Sequence, residues 1–332
     1  MTTILSADIG GTKTIIELSQ YAEGSLHSIR KQTSDSAIYN CFSNALAGFL
    51  NPSDSIDIAC FGIAGPIHEK KNKQTANVTN LPWVLDSQDL EETFKIPKIY
   101  FINDFQAMGY AIEHLSVDDV EVLQQGQIKD KTVRAVIGAG TGLGEAILAY
   151  NGKKYDVLAT EGGHLDFAAT NSIEFSLFEY INKAFSHVSY ERILSGTGLI
   201  TIFKFLCQTH LVENEDKVKE ILASTDPAAA ISIAANEKTD PLAEQALSLF
   251  MKIYGAKAGN LALNCLPKSG LYICGGIAAK NRSFLKNSHF MTSFNAKGRM
   301  QELMEQIPVK LVTNQEAGLL GATQYALSMS RL

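Results

Sequence analysis

Two short segments rich in glycine and threonine have the composition of phosphate-binding turns. One reads Asp-Ile-Gly-Gly-Thr over Asp8–Thr12, and the other reads Ile-Gly-Ala-Gly-Thr-Gly-Leu-Gly over Ile137–Gly144. Because glycine has no Cβ, the backbone N–H groups of such a turn can converge on an anionic oxygen. Each turn alone could be an ordinary glycine hairpin. The pair, with an aspartate at the end of the first strand, favours a nucleotide polyphosphate held by both turns.

The spacing of these glycines argues against the two best-known nucleotide-binding motifs. A P-loop needs four residues between its first glycine and Gly-Lys-Ser/Thr, and it opens a helix; no stretch of the sequence fits this pattern. A dinucleotide fingerprint needs Gly-x-Gly-x-x-Gly, whereas Gly138, Gly140, Gly142 and Gly144 alternate strictly and lead into a strand. Both of these nucleotide folds are therefore disfavoured.

A pair of polar residues, Asn103 and Asp104, follows the apolar run Ile99–Ile102 and precedes a segment of helical composition. Open α/β sheets place their ligands at this point, beyond the carboxyl end of a strand. Simple capping of the helix by Asn or Asp is the alternative explanation, and it is compatible with catalysis. Because a helix N-terminus favours an ionised carboxylate, we expect Asp104 to be charged near neutral pH.

A second polar group comprises Glu161, His164 and Asp166, with Glu191 further along the chain. Carboxylates and an imidazole supply the donors and acceptors that a polyhydroxylated ligand needs. A histidine beside a glutamate is more often a structural pair than a binding site, and the sequence alone leaves both explanations open.

The composition is that of a globular protein without a nucleic-acid or membrane partner. The chain has 332 residues, 45% hydrophobic and 19% charged, and its formal net charge is −6. A field of this sign would repel nucleic acid and anionic membranes, so a polyphosphate would bind through local amides and a divalent cation. We expect no signal peptide, because the sequence enters a strand almost at once, and no membrane span, because no apolar run reaches the length that a bilayer requires. The cysteines are scattered and odd in number, which predicts reduced thiols in the cytoplasm and no zinc site.

The elements that must position these residues occur in two similar sets. β-rich runs flank both glycine turns, at Thr3–Ala7 and Thr14–Leu18 and again at Val133–Ile137 and Glu145–Ala149, so two hairpins begin about 130 residues apart. This repetition predicts a duplicated α/β unit with a cleft between its halves.

Apolar spacing at helical period predicts the helices that accompany these hairpins. The clearest are a helix over 38–49 after the caps Asp35 and Ser36, a short helix after Asp86 and Ser87, a long helix over 243–261 and a last helix over 314–329. The last helix carries small residues on one face, so we expect it to pack closely and to return to the first domain.

The order of the motifs resembles that of a known family. The sequence contains, in this order, Asp-x-Gly-Gly-Thr, Ile-Asn-Asp-Phe, Gly-Ala-Gly-Thr-Gly-Leu-Gly, Glu-Gly-Gly-His-x-Asp-Phe, Glu-Arg-x-Leu-Ser-Gly and Gly-Gly-Ile. It is similar over essentially its whole length to the bacterial-type glucokinases of the actin-like ATPase and hexokinase superfamily. The resemblance implies a duplicated, ribonuclease H-like α/β fold with a small domain of residues 1–112 and 314–332 and a large domain of residues 113–313.

The resemblance also implies an activity and the residues that carry it. The activity is transfer of the γ-phosphate of ATP to the 6-hydroxyl of glucose, with Mg²⁺, by a cytoplasmic homodimer. Asp104 matches the base that receives the 6-hydroxyl proton and also touches the sugar. The implied sugar ligands are Asn103, Glu161, His164 and Glu191, with Asn80 in a loop that closes over the sugar. The implied phosphate contacts are Asp8, Gly10, Gly11, Thr12, Gly140, Thr141 and Gly142. Gly275 and Gly276 match contacts to the adenosine, and Asp8 matches a water-mediated contact to Mg²⁺.

Some features depart from the family or leave alternatives open. Lys13 follows Gly-Gly-Thr where many members have asparagine, and the cysteine-rich zinc loop of a related kinase group is missing from the sequence. A kinase for mannose, fructose or an N-acetylated amino sugar would use similar hydroxyl ligands. A sugar-sensing regulator commonly carries a helix-turn-helix ahead of the first turn, where this sequence has seven residues. An assembling actin-like ATPase would not need the Glu161–His164 cluster.

Overall fold

A computed structural model describes residues 1–71, 73–210, 212, 214–287 and 289–331. The chain divides into two compact units, which we call unit 1 (Met1–Ser116 with Asn314–Leu332) and unit 2 (Val117–Thr313). No helix among the described residues is both long enough and apolar enough to cross a bilayer.

The strands and helices of the described residues are as follows, in chain order. The strands are β1 Thr2–Ile9, β2 Lys13–Ala22, β3 Ser25–Asp35, β4 Ile58–Ile63, β5 Ile67–Lys70, β6 Lys73–Asn77, β7 Val84–Asp86, β8 Ile99–Asn103, β9 Val120–Gln124, β10 Arg134–Ala139, β11 Leu143–Tyr150, β12 Tyr155–Thr160, β13 Leu271–Cys274 and β14 Val309–Val312. The helices are α1 Phe42–Phe49, α2 Ser87–Phe94, α3 Asp104–Ala111, α4 Ser172–Asn182, α5 Gly196–Thr209, α6 Glu215–Ala223, α7 Pro227–Asn236, α8 Pro241–Cys265, α9 Gly276–Lys280, α10 Arg282–Asn287, α11 Phe290–Asn295, α12 Gln301–Glu305 and α13 Ala317–Met329.

Unit 1 is built on a sheet with the strand order β3-β2-β1-β4-β8. The hairpin β1–β2 is antiparallel, whereas β4 runs parallel to both β1 and β8. Strand β4 is buried at every position, as expected for a parallel strand covered on both faces. The register places Ile9 opposite Ile63 and Ile63 opposite Asn103. The carboxyl ends of β1, β4 and β8 therefore meet at one edge of the sheet.

Unit 2 repeats this arrangement with the strand order β12-β11-β10-β13-β14-β9. Its first hairpin, β10–β11, is antiparallel, and β10 then pairs in parallel with β13. The two predicted hairpins are confirmed, and each glycine turn joins the two strands of a hairpin, β1–β2 in unit 1 and β10–β11 in unit 2. Helices α5, α7 and α8 pack together to form much of the hydrophobic core of unit 2.

The predicted helix over 38–49 is only partly correct. Residues Ser36–Ile38 form a 3-10 turn capped by Asp35, and the α-helix begins at Phe42. Ser36 donates its backbone N–H to Thr12 O at 2.9 Å and its hydroxyl to Gly10 O at 2.8 Å. These bonds tie the start of the segment to the first glycine turn, so the chain cannot enter a continuous helix there.

The last helix, α13, packs against α3, β1 and β4 within unit 1. Its small residues allow a very close approach, since a Cβ added at Gly321 would lie 1.7 Å from Ala107 O. Side chains larger than hydrogen cannot be accommodated there without moving a backbone. The glycine therefore fixes how closely α13 approaches α3 and the edge of the sheet that carries Asp104.

Candidate active site

Asn103 and Asp104 lie at the junction of β8 and α3. The Asn103 side chain accepts a hydrogen bond from Phe105 N at 2.9 Å, and Gln106 Oε1 accepts one from Asn103 N at 3.1 Å, which completes a capping box. Asp104 Oδ1 also accepts from Phe105 N at 2.9 Å. The capping explanation is thus correct for Asn103, and the cap fixes the position of the neighbouring carboxylate.

The surroundings of the Asp104 carboxyl group raise its pKa. Burial of the carboxyl group and the nearby charge of Asp8 together raise its pKa from 3.8 to about 7, although bonds from Phe105 N and the Asn103 side chain favour the ionised form. Asp104, which the helix N-terminus was expected to keep charged near neutral pH, is thus only partly ionised there, because desolvation outweighs the helix N-terminus. A carboxyl group with this pKa can accept and release protons near pH 7.

The first glycine turn contacts the loop that carries Asn80. Gly10 N donates to Lys13 O at 3.0 Å, which closes the hairpin. A Cβ at Gly11 would lie 2.8 Å from Thr79 O and 3.5 Å from the Asn80 Cβ. Asn80 itself has a left-handed backbone with φ of 63°, as its position in a tight turn requires. The structure thus brings together Gly10, Gly11 and Asn80, which are distant in sequence.

Asp8 lies beside this turn near the carboxyl end of β1. Burial raises its pKa to about 6, and Lys13 opposes the rise. Helix α13 leaves room for the carboxylate, because a Cβ at Gly318 would lie 3.0 Å from Asp8 Oδ2. A desolvated carboxylate beside a predicted phosphate-binding turn fits Mg²⁺, which takes one or two protein carboxylates and completes its shell with phosphate and water. Among the described residues no group of three or more His, Cys, Asp or Glu side chains could hold a metal by itself.

The second glycine turn, between β10 and β11, contacts Glu191. Leu143 N donates to Glu191 Oε2 at 3.0 Å, and a Cβ at Gly142 would lie 2.5 Å from the same oxygen. Gly140 O accepts from Gly196 N, the first residue of α5, at 2.9 Å. One oxygen of Glu191, a predicted sugar ligand, therefore supports the predicted phosphate turn.

The three predicted sugar ligands of unit 2 are Glu161, His164 and Glu191, and they lie together. His164 Nε2 is 3.8 Å from Glu161 Oε2, and His164 Nδ1 is 4.0 Å from Glu191 Oε1. The Glu161 side chain is 84% exposed and that of His164 is 57% exposed, so both can reach a ligand. His164 and Glu191 also line a cavity of about 220 Å³. The cavity is further lined by Phe185, Ser186, His187, Ser189 and Arg192.

Gly275 and Gly276 follow β13 and open α9. Gly275 has φ of 88°, and a Cβ there would lie 2.5 Å from Ala139 O. Since Ala139 immediately precedes the second glycine turn, this segment lies beside that turn within unit 2. Only glycine satisfies both the backbone angle and the close contact.

Sequence reasoning missed two features of these sites. They are the contact of Gly318 with the Asp8 carboxylate and the buried pair of Glu145 and Lys257. The sequence does carry a signal for Lys257, namely a charged residue in the apolar stripe of α8, three residues after the core residue Tyr254. A buried lysine requires a partner, and its pairing becomes visible only in the tertiary structure.

The sequence and the fold are both similar to those of known proteins. The sequence profile of the glucokinase family matches residues 5–329. A glucokinase of Nostoc punctiforme is 43% identical, and the match covers 100% of both chains. The crystal structure of a glucokinase from an Antarctic psychrotroph has a TM-score of 0.81 and 32% identity, covering 99% of each chain. A glucokinase from Balamuthia mandrillaris in complex with glucose has a similar fold, with a TM-score of 0.80 at 24% identity over 98% of this chain and 94% of that one.

Two sheets that each contain a glycine-turn hairpin paired with parallel strands define an α/β protein of the actin-like ATPase fold, with sugar kinases as its structural neighbours. The predicted fold class is confirmed. Within this class, the chain belongs to the glucokinase family.

Proposed function

We propose that this protein transfers the γ-phosphate of ATP to the 6-hydroxyl of glucose, giving glucose 6-phosphate and ADP. Family membership over residues 5–329 supports the reaction class. The observation that carries the proposal is Asp104, a carboxyl group at the carboxyl end of β8 with a pKa of about 7. This is the acidity that a general base needs to take a hydroxyl proton at neutral pH.

The proposed roles follow the chemistry of each group. The 6-hydroxyl oxygen attacks the γ-phosphorus, its proton passes to an Asp104 carboxylate oxygen, and the bond to the ADP oxygen breaks. Asn103, Asn80, Glu161, His164 and Glu191 would hold the remaining sugar hydroxyls, which orients the attacking oxygen.

The two glycine turns would bind the triphosphate. We assign Gly10, Gly11 and Thr12 to one group of phosphate contacts and Gly140, Thr141 and Gly142 to another, with Gly275 and Gly276 near the adenosine. Because Gly10 N already bonds Lys13 O, the amides of Gly11 and Thr12 are the donors we assign in the first turn. Asp8 would hold Mg²⁺, which when bound would neutralise phosphate charge during transfer.

A coupled assay of ADP release across a panel of sugars tests this function. The panel contains glucose, mannose, fructose, N-acetylmannosamine and N-acetylglucosamine. We expect the highest kcat/KM with glucose, and a kcat about a hundredfold lower in Asp104→Asn with glucose binding retained. A higher kcat/KM for another sugar would reassign the substrate, and near-normal turnover by Asp104→Asn would remove Asp104 as the base.

We also propose that the protein acts in the cytoplasm as a homodimer. The family resemblance supports both statements, and the cysteines among the described residues are free thiols, which suits a reducing compartment. Sedimentation equilibrium in the presence and absence of glucose tests the dimer. A monomer at micromolar concentration would contradict it.

A further inference from the structure

A buried ion pair lies in the core of unit 2. Glu145 Oε1 on β11 is 2.7 Å from Lys257 Nζ on α8, and the two side chains are 3% and 1% exposed. Burial raises the pKa of Glu145, and the charge of Lys257 acts in the opposite direction. Removing two charges from water is costly, and apolar residues of similar size often stabilise a core equally well. A buried pair that adds little to stability can instead specify the position of what it contacts.

On one side, the pair contacts the chain that leads into the predicted sugar ligands. A Cβ at Gly162 would lie 2.0 Å from Glu145 Oε2, so the carboxylate occupies the space that a side chain at 162 would need. The backbone of Glu145 contributes as well. Its carbonyl accepts from Thr160 Oγ1 at 3.2 Å, and Thr160 Oγ1 accepts from Gly162 N at 3.3 Å. Glu145 therefore sets where the chain leaves β12 and enters Glu161–His164.

On the other side, the pair contacts the segment that carries Glu191. Lys257 Nζ lies 5.2 Å from the centre of the Tyr190 ring, within the range of a cation–π interaction. The Tyr190 hydroxyl accepts from Asn260 Nδ2 at 3.0 Å, one turn further along α8. Tyr190 N also donates to Leu165 O at 3.0 Å, which links this segment to the one that carries His164.

We propose that Glu145 and Lys257 are positioning residues that jointly fix Glu161, His164 and Glu191 for sugar binding. The inference rests on the proposed function, because it assigns the pair a task in holding glucose. Lys257 holds Glu145 against Gly162 and holds Tyr190 beside Glu191. One cation thus sets the separation of two segments that must contact the same ligand.

The test replaces both charges together, since removal of one alone would leave the other buried without a partner. In the double variant Glu145→Leu/Lys257→Met, we expect a folded protein whose KM for glucose is about tenfold higher, because small displacements of binding groups are costly. The KM for ATP should rise less than the KM for glucose, because only Glu191 of the three displaced residues contacts the second glycine turn. A folded double variant with an unchanged glucose KM, or with equal rises in both KM values, would overturn the proposal.

The control Ile221→Val removes a methyl group from a buried side chain of α6, a helix that packs against α7. It should lower stability without changing the glucose KM.

A second readout does not depend on activity. It is hydrogen exchange at the backbone amides of His164 and Glu191, which donate to Glu161 O and Gly163 O respectively. Exchange should be faster at both amides in the double variant and unchanged in the control. If the wild-type protein does not phosphorylate glucose, the proposed function is wrong. The exchange measurement would still show whether Glu145 and Lys257 fix the segments that carry His164 and Glu191.

Discussion

Asp8 and Asp104 lie at the same edge of the unit 1 sheet, and the charge of Asp8 is the second largest cause, after burial, of the high pKa of Asp104. The parallel register of β1, β4 and β8 produces this relationship. Two carboxyl groups near one another resist simultaneous ionisation, so at least one is protonated over part of the neutral range.

The rate of phosphoryl transfer should therefore depend on pH. Asp104 has a pKa of about 7, and only its ionised form can accept the 6-hydroxyl proton. We expect kcat to rise about tenfold per pH unit below that pKa and to level off above it. A profile from pH 5.5 to 9 at saturating substrates measures this, and a flat profile would show that the ionisation of Asp104 does not limit turnover.

The influence of Asp8 on Asp104 can be measured separately from catalysis. Asp8→Asn removes a nearby negative charge, so the pKa of Asp104 should fall towards its ordinary value. Carbon-13 NMR of the labelled aspartate carboxyl groups reports this pKa directly. A pKa for Asp104 that is unaltered in Asp8→Asn would show that burial alone sets it.

The same shift has a consequence for stability. The pKa of Asp104 rises on folding, from 3.8 to about 7, so the folded protein keeps a proton that the unfolded chain releases. Stability must then fall as pH rises from about 4 to about 7, because the folded state binds more protons in this window. At pH 8 we expect the free energy of unfolding of Asp104→Asn to be ~1–2 kcal/mol higher than that of the wild type. This is less than the pKa shift of Asp104 alone implies, because its side chain is partly exposed and solvent screens the charge. Urea unfolding at pH 4.5 and pH 8 tests this, and a difference that is equal at both pH values would contradict it.

Gly318 should be required for the position of Asp8. A Cβ at 318 would lie 3.0 Å from Asp8 Oδ2, so Gly318→Ala should displace the carboxylate and raise the KM for Mg-ATP by about tenfold. Gly48→Ala is the matched control. Gly48 is an exposed helical glycine with nothing within 4 Å of an added Cβ, so this change should stabilise slightly and leave the KM unchanged. Equal kinetics for the two variants would show that the carboxylate adjusts freely.

Glu161 and His164 should contribute to glucose affinity. Both side chains are largely exposed and lie within 4 Å of each other, so their removal costs bonds to the sugar and little folding energy. We expect Glu161→Ala and His164→Ala to raise the glucose KM by about ten- to a hundredfold, the effect of losing a hydrogen bond to a charged or polarised group. Glu179→Ala, an exposed glutamate on α4, should leave it unchanged. Normal affinity in both test variants would return this cluster to a structural role.

Local patterns in the sequence were sufficient for most of the elements. Glycine turns between β-rich runs predicted both hairpins, because turn geometry depends on a few adjacent residues. Asp86 caps α2 as expected, since capping is also local. The Asn103–Asp104 pair could likewise be placed at a strand end from the order of its neighbours.

The tertiary structure alone decided the acidity of Asp104, the contact of Gly318 with Asp8 and the pairing of Glu145 with Lys257. Each depends on groups that are distant in the sequence, such as Lys257, which lies 2.7 Å from Glu145. Burial and charge proximity are properties of the folded environment, and they shift a pKa by amounts that no local pattern encodes. The sequence therefore determined which residues can do chemistry, whereas packing determined their ionisation and their partners.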